Sequence, residues 1–217
     1  MAESFGVGRP AIREALRGLE IAGLVTIRQG REGGAYVQAN NLDLIANHYS
    51  NLLRFGRVTL QHVTEARLFI ETLMLDLVIL KITPEDITKL RRCIDASEKA
   101  LRLGKAVERA EHNLNFHCIL STITENPIII LNISSIMDLM SYFVLQIKTT
   151  KKISLNTIEA HTRIVDFLEA GNLEEAKEQN ALHIKDVSQR LKDKYEKLVE
   201  EGSISNNLLP TFEVNLK

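Results

Sequence analysis

From residue 41 almost to the C-terminus, apolar residues return every three or four positions, and each interruption carries helix-stop or helix-start chemistry. The breaks are Gly56 before Thr59, Thr83-Pro84-Glu85-Asp86, Gly104, Asn126-Pro127 and Gly171-Asn172. A threonine ahead of Pro-Glu-Asp is an N-cap followed by a first turn. Helices are therefore predicted at about 41–55, 59–81, 84–103, 106–124, 127–149, 155–170 and 172–201. No internal repeat of about 20–50 residues is present, which argues against a solenoid. Amphipathic helices with short connections point to an antiparallel all-helical bundle of six or seven helices, in a domain spanning roughly 41–201. The tail, 202–217, lacks this periodicity, although Leu208, Leu209, Phe212 and Val214 could dock on a neighbour.

Residues 1–38 have another character. Gly6 follows a short helical stretch and tolerates the left-handed backbone of a tight helix–helix turn. From Arg9 to Ala22, residues Ile12, Ala15, Leu16, Leu19 and Ile21 recur at helical spacing, with Pro10 in the first turn. Arg9, Arg13 and Arg17 step along the opposite face. Gly23 stops the helix, Leu24-Val25-Thr26-Ile27 reads as a strand, and Ala35-Tyr36-Val37 reads as its return across the basic, glycine-rich turn from Arg28 to Gly34. An arginine-faced helix followed by a basic hairpin suits a major groove and its phosphates. An amphipathic helix and hairpin with a solvated arginine face is the less favoured alternative, since arginine stripes are common.

The run Gly6-Val7-Gly8-Arg9-Pro10-Ala11-Ile12-Arg13-Glu14-Ala15-Leu16-Arg17, then Leu19-Glu20, Gly23-Leu24-Val25 and the glycine-rich turn, resembles the winged helix-turn-helix of the GntR superfamily of bacterial transcription regulators. That resemblance implies operator contacts from Arg9, Arg13 and the wing tip Gln29-Gly30, with Arg17 and Arg31 beside them. Gly8 stands where Ser or Thr is usual and Pro10 where Thr is common, which removes hydroxyls that can bond phosphate. Family members carry about thirty or more residues ahead of this point. The expectation is therefore a partial winged helix over 1–38, entered part-way, in which Leu16, Leu19 and Leu24 lack a packing partner. The fold class is mainly α.

Composition narrows the remaining classes. The chain has 217 residues, 45% hydrophobic but only 5% aromatic and without Trp, which suits helices packed by Leu and Ile. A net charge of −1 confines any nucleic-acid contact to a local patch. Cys93 and Cys118 have no paired spacing and read as buried free thiols in a reducing compartment. No apolar run approaches about 18 residues and no signal-peptide pattern opens the chain, so a cytoplasmic protein without a membrane partner is expected.

Within the bundle, Asn113 and His117 are four apart on one helix and leave the same face, a spacing that lets two side chains share a cation. His161 and His183 fall on the last two helices. Three neutral imidazoles converging in a bundle core suit a borderline divalent ion such as Zn, Ni, Co or Mn. Taken singly, a histidine in a helix is more often partly exposed or hydrogen-bonded to a neighbour than a metal ligand.

Asn113-Leu114-Asn115-Phe116-His117, Glu125-Asn126-Pro127, His161 with Ile164, Phe167 and Leu168, then Gly171-Asn172, Ala176 and His183 resemble the C-terminal FCD-type ligand-binding domain of the FadR-like subgroup. Glu65-x-Arg67-x-x-x-Glu71 resembles that domain's second helix, whose arginine commonly lines the effector pocket. The resemblance implies a metal set at Asn113, His117, His161 and His183, with an asparagine where an aspartate is usual. A neutral amide oxygen is a weaker ligand and leaves the site one charge more positive, which favours a carboxylate effector. Arg67 is either an anion clamp by resemblance or a partner of Glu71 one turn on. Asn132 and Tyr142, with Ser135, are further candidates for effector contact.

His48, His62 and His112 read as exposed or capping, Met74, Met137 and Met140 as core, and Cys118 points about 100° away from its neighbour His117. The leading expectation is a metabolite-responsive regulator binding operator DNA as a homodimer, its helical domain sensing a small organic acid at a divalent cation. A truncated sensor acting through mixed dimers is the alternative. A metal-dependent hydrolase is disfavoured because no HExxH pattern occurs and Glu111 lies off the ligand face.

Overall fold

The computed structural model describes residues 2–30, 33–37, 58–147 and 151–203. They fall into two compact units, drawn from Met1–Tyr49 and Ser50–Lys217. The predicted helix at 41–55, the wing residue Arg31 and most of the tail lie outside the described residues.

In the first unit, a short helix α1 (Ala2–Phe5) is followed by Gly6 at φ 63° and then by α2 (Arg9–Ile21). Gly8 is the N-cap of α2 and has no side chain to bond the first turn, while Pro10 sits inside that turn. Strands β1 (Val25–Arg28) and β2 (Gly34–Val37) pair antiparallel, Val25 opposite Val37 and Arg28 opposite Gly34. The turn between them is closed by Gly33 N–H donating to the Gly30 carbonyl at 2.9 Å. A Cβ at Gly33 would lie 2.7 Å from the Arg28 carbonyl oxygen and 2.8 Å from that of Gly30, so only glycine fits. Val25 is the one buried apolar side chain described in this unit, whereas Leu19, Ile21 and Leu24 are exposed.

The described part of the second unit is built of helices. Its helices are α3 (Leu60–Lys81), α4 (Pro84–Arg102), α5 (Ala106–Ile123), α6 (Pro127–Ile147), α7 (Lys151–Glu169) and α8 (Leu173–Glu200). Consecutive pairs α4/α5, α5/α6 and α7/α8 pack together, and α3 packs against α5, α6 and α8. The starts of α3 and α4 are reciprocal capping boxes. Thr59 Oγ1 accepts from the His62 N–H at 3.1 Å while His62 Nδ1 accepts from the Thr59 N–H at 3.3 Å, and Thr83 and Asp86 repeat the arrangement. His62 is thus a capping histidine. Met74, Met137 and Met140 are buried in the core.

The predicted helix limits agree with these within two residues except at α7, which starts four residues earlier than expected. Its first turn presents Ile153 and Ser154 inward, and a polar residue at an inward position hides the apolar signal. Among the described residues, α6 is long and apolar enough to span a membrane by length and composition, although Asn132, Ser134, Ser135, Asp138 and Ser141 interrupt it. Its apolar character has a packing reason, because Ile133, Met137, Met140, Phe143 and Ile147 are all buried in the bundle.

Candidate metal centre

Four helices deliver polar side chains to one buried point, and on each the residue sits at a helical position whose neighbours are core. On α3, Arg67 and Glu71 lie one turn apart between buried Val63 and Met74, and both are buried. On α5, His117 follows the fully buried Phe116, and on α7 and α8, His161 and His183 precede Ile164 and Ile184. A ring nitrogen from each histidine lies within 4.8 Å of the other two. His161 Nε2 and His183 Nε2 are 3.2 Å apart, and the His161 ring stacks on Phe116 with centroids 3.9 Å apart.

Donor and acceptor chemistry fixes the state of His117. Its Nδ1 lies 2.6 Å from Glu71 Oε2, in contact with the carboxylate but not aligned for a hydrogen bond, so the place of the ring proton is set by the other nitrogen. Its Nε2 lies 3.1 Å from Arg67 Nη2, and a guanidinium can only donate, so Nε2 presents its lone pair. Arg67 Nε donates to Glu71 Oε1 at 2.7 Å, which makes Glu71 the hinge of the set, one oxygen on the arginine and the other on the histidine.

Electrostatics keep this cluster ready for a cation. Burial is the largest influence on Glu71 and alone would raise its pKa, but the charges of Arg67 and His117 and their bonds outweigh it, so the carboxyl is held far below its ordinary range and stays ionised. Burial pulls the His161 and His183 pKa values well below 6.5, with the other imidazoles and Arg67 adding to it. His117 is lowered mainly by burial, against the opposing pull of Glu71. All three rings are therefore neutral near pH 7, the form that ligates metals.

Arg67, Asn113, His117, His161 and His183 line one cavity of about 40 Å³, walled on its apolar side by Leu114, Met140 and Val144. Asn113 reaches this wall, but its Oδ1 accepts a hydrogen bond from Ser97 Oγ at 2.5 Å. Ser154 and Thr157 from α7 add hydroxyl groups to the lining. Asn132 and Tyr142 are not among the lining residues. Asn132 Nδ2 donates to the Ile128 carbonyl on its own helix at 2.8 Å, and the Tyr142 ring meets Phe143 edge-on. The contact of Glu71 with His117 escaped the sequence reading. Its only signal was the Arg67/Glu71 pairing one turn apart.

In the first unit, Arg9, Arg13 and Arg17 are all exposed on α2, and Gln29 and Gly30 are exposed at the turn. Arg28 lies over the Tyr36 ring, 4.8 Å from its centroid, which ties the base of the wing together.

The FCD domain model matches residues 62–186, and the model of the bacterial regulatory proteins of the gntR family matches residues 1–37. The chain is 27% identical over 209 residues to the HTH-type transcriptional regulator LutR of Bacillus subtilis, covering 92% of each chain. It is 27% identical over 190 residues to the HTH-type transcriptional repressor NanR of Cronobacter sakazakii, covering 84% of this chain and 71% of that one. Among solved structures, Streptococcus agalactiae GntR is similar with a TM-score of 0.68 and 23% identity, over 87% of this chain and 85% of that one. These relatives are transcription regulators, not enzymes. With the FCD domain model matching more than half of the chain and the gntR model matching its start, the chain belongs to the GntR family of bacterial transcription regulators, in the group that carries a C-terminal FCD domain.

Proposed function

We propose that this regulator holds a divalent cation on His117, His161 and His183 and uses it, with Arg67, to sense a small carboxylate metabolite. The observation that carries this reading is the convergence of three buried, neutral imidazoles whose ring nitrogens lie within 4.8 Å of one another. Ligands at about 2.0–2.1 Å around a tetrahedral zinc stand about 3.3 Å apart, and the 3.2 Å between His161 Nε2 and His183 Nε2 already matches that spacing. A borderline ion such as Zn, Ni, Co or Mn suits an all-imidazole set. Such a cation would supply Lewis acidity toward a carboxylate. Glu71 orients His117 through Nδ1, and Asn113, Ser154 and Thr157 offer polar contacts in the wall. A cavity of about 40 Å³ is far smaller than an ordinary ligand pocket, so binding of an organic acid is accompanied by opening of the wall.

In this reading the chain works in the cytoplasm as a homodimer, and Arg9, Arg13, Arg17, Gln29, Gly30 and Arg31 meet operator DNA at two half-sites about one helical turn apart. The exposed stripe Phe69, Leu73, Leu77 and Leu80 on α3 supplies an apolar face suited to a second copy. The effector acts by preferring one arrangement of the two DNA-binding heads. Metal analysis of protein purified without chelator or nickel resin tests the central assignment. About one ion per chain is expected, with loss in His161→Ala. Wild-type protein that takes up no stoichiometric Zn, Ni, Co or Mn would overturn it.

A further inference from the structure

We propose that Arg67 and a divalent cation are alternative occupants of the His117 Nε2 lone pair, so that Arg67 sets the cation concentration at which the site loads. The inference rests on the metal reading above and adds its regulation. Nε2 of an imidazole has one lone pair, and Arg67 Nη2 sits 3.1 Å from it. The opposite ring nitrogen, 2.6 Å from Glu71 Oε2, carries the proton of the neutral ring, so His117 has no second lone pair to offer. A guanidinium on that nitrogen and a cation ligated by it cannot coexist, and their like charges in a buried site oppose each other further.

The arrangement also gives Arg67 somewhere to go. Its Nε is anchored on Glu71 Oε1 at 2.7 Å, independently of the Nη2 contact, and Arg67 already lines the cavity with Asn113 and the three histidines. Turning the Nη end away from His117 releases the lone pair while the Nε bond to Glu71 is kept. Loading the site therefore frees a guanidinium inside the cavity, and Glu71 holds both groups in register throughout.

The test is competition titration of Zn²⁺ against a chromophoric chelator, on the full chain near pH 7.5, with thermal unfolding recorded in parallel. Arg67→Met removes the occupant but leaves Glu71 without its partner, so Arg67→Met/Glu71→Gln is measured beside it as the charge-balanced variant. Arg67→Lys keeps the charge but lacks the two-ended fork that spans Glu71 and His117. The expected result is Zn²⁺ binding at least tenfold tighter in Arg67→Met than in wild type, at least tenfold tighter in Arg67→Met/Glu71→Gln than in Glu71→Gln alone, and at least threefold tighter in Arg67→Lys than in wild type. Lower thermal stability of the metal-free Arg67→Met chain is expected alongside. A merely structural arginine would move stability and cation affinity in the same direction. Equal or weaker Zn²⁺ binding in Arg67→Met than in wild type or in Arg67→Met/Glu71→Gln than in Glu71→Gln, or an Arg67→Lys chain that binds as wild type does, would overturn the proposal while leaving the metal reading intact. Failure of the wild type and every variant to bind Zn²⁺ would overturn both.

Discussion

Glu71 Oε2 lies 2.6 Å from His117 Nδ1 in a site where both side chains are almost wholly buried. The contact links α3 to α5 and fixes which nitrogen of His117 faces the cavity. Carboxylates that hold a ligating histidine in this way orient the ring and raise its basicity.

Removing that carboxylate has two separable consequences. Glu71→Ala leaves the Arg67 guanidinium buried without its partner, and a loss of about 3–5 kcal/mol of stability is expected from denaturant unfolding. Glu71→Gln keeps the shape and an acceptor oxygen. It is expected to remain folded and to bind a divalent cation about 10- to 100-fold more weakly in chelator competition. A Gln variant with wild-type cation affinity would show that Glu71 serves only the fold.

Stability is expected to fall with acidification, starting near pH 6.5. Burial holds the folded-state pKa values of His161 and His183 well below that value, while the same side chains titrate near 6.5 in the unfolded chain. As pH drops through 6.5 the unfolded state therefore binds more protons than the folded one, and stability declines. Above pH 7 these histidines contribute no slope. Each histidine that stays neutral in the fold contributes up to about 1.4 kcal/mol per pH unit. Denaturant midpoints measured from pH 8 to pH 5 check this, and His183→Asn is expected to flatten the acid limb.

Asn113→Asp places a carboxylate on the cavity wall while still accepting from Ser97 Oγ. An anionic oxygen beside three imidazoles is expected to tighten divalent cation binding at least tenfold. The same charge lowers the site's attraction for an incoming carboxylate. Calorimetric titration with the metal, then with short-chain organic acids, measures both effects, and unchanged metal affinity would place residue 113 outside the coordinating set.

The wing depends on one glycine. Gly33→Ala forces its Cβ against the backbone oxygens of Arg28 and Gly30, and the turn carrying Gln29 and Gly30 must shift. Faster amide exchange at Gly33 and along β1 and β2 is expected. Gly18→Ala, in the middle of α2 with nothing within 4 Å of the added methyl, is the matched control. It is expected to stabilise the helix by about 0.5–1 kcal/mol without touching the wing.

Helical periodicity and the caps at Thr59 and Thr83 placed most helix limits of the bundle correctly, because both report local chemistry within one or two turns. The start of α7 was the exception, since Ser154 occupies an inward position that a hydrophobic pattern cannot register. The histidines were legible as candidates through the spacing of Asn113 and His117 and the family resemblance. Asn132 and Tyr142 are candidates as polar side chains on α6 with only loosely consistent helical phase, and neither polarity nor phase says which neighbour a face meets.

The sequence by itself determined the bundle, the wing, the family and the three imidazoles, since each is written in short-range periodicity or in motif spacing. Only the tertiary structure decided that Glu71 bridges Arg67 and His117, that Arg67 rests on the histidine lone pair, and that the Asn113 oxygen is held by Ser97. Those contacts join α3, α4 and α5 across as many as 50 positions of chain. A polar side chain inside a bundle takes whichever donor or acceptor the packing of another helix brings within about 3 Å, and that is a property of how the helices dock rather than of any one helix.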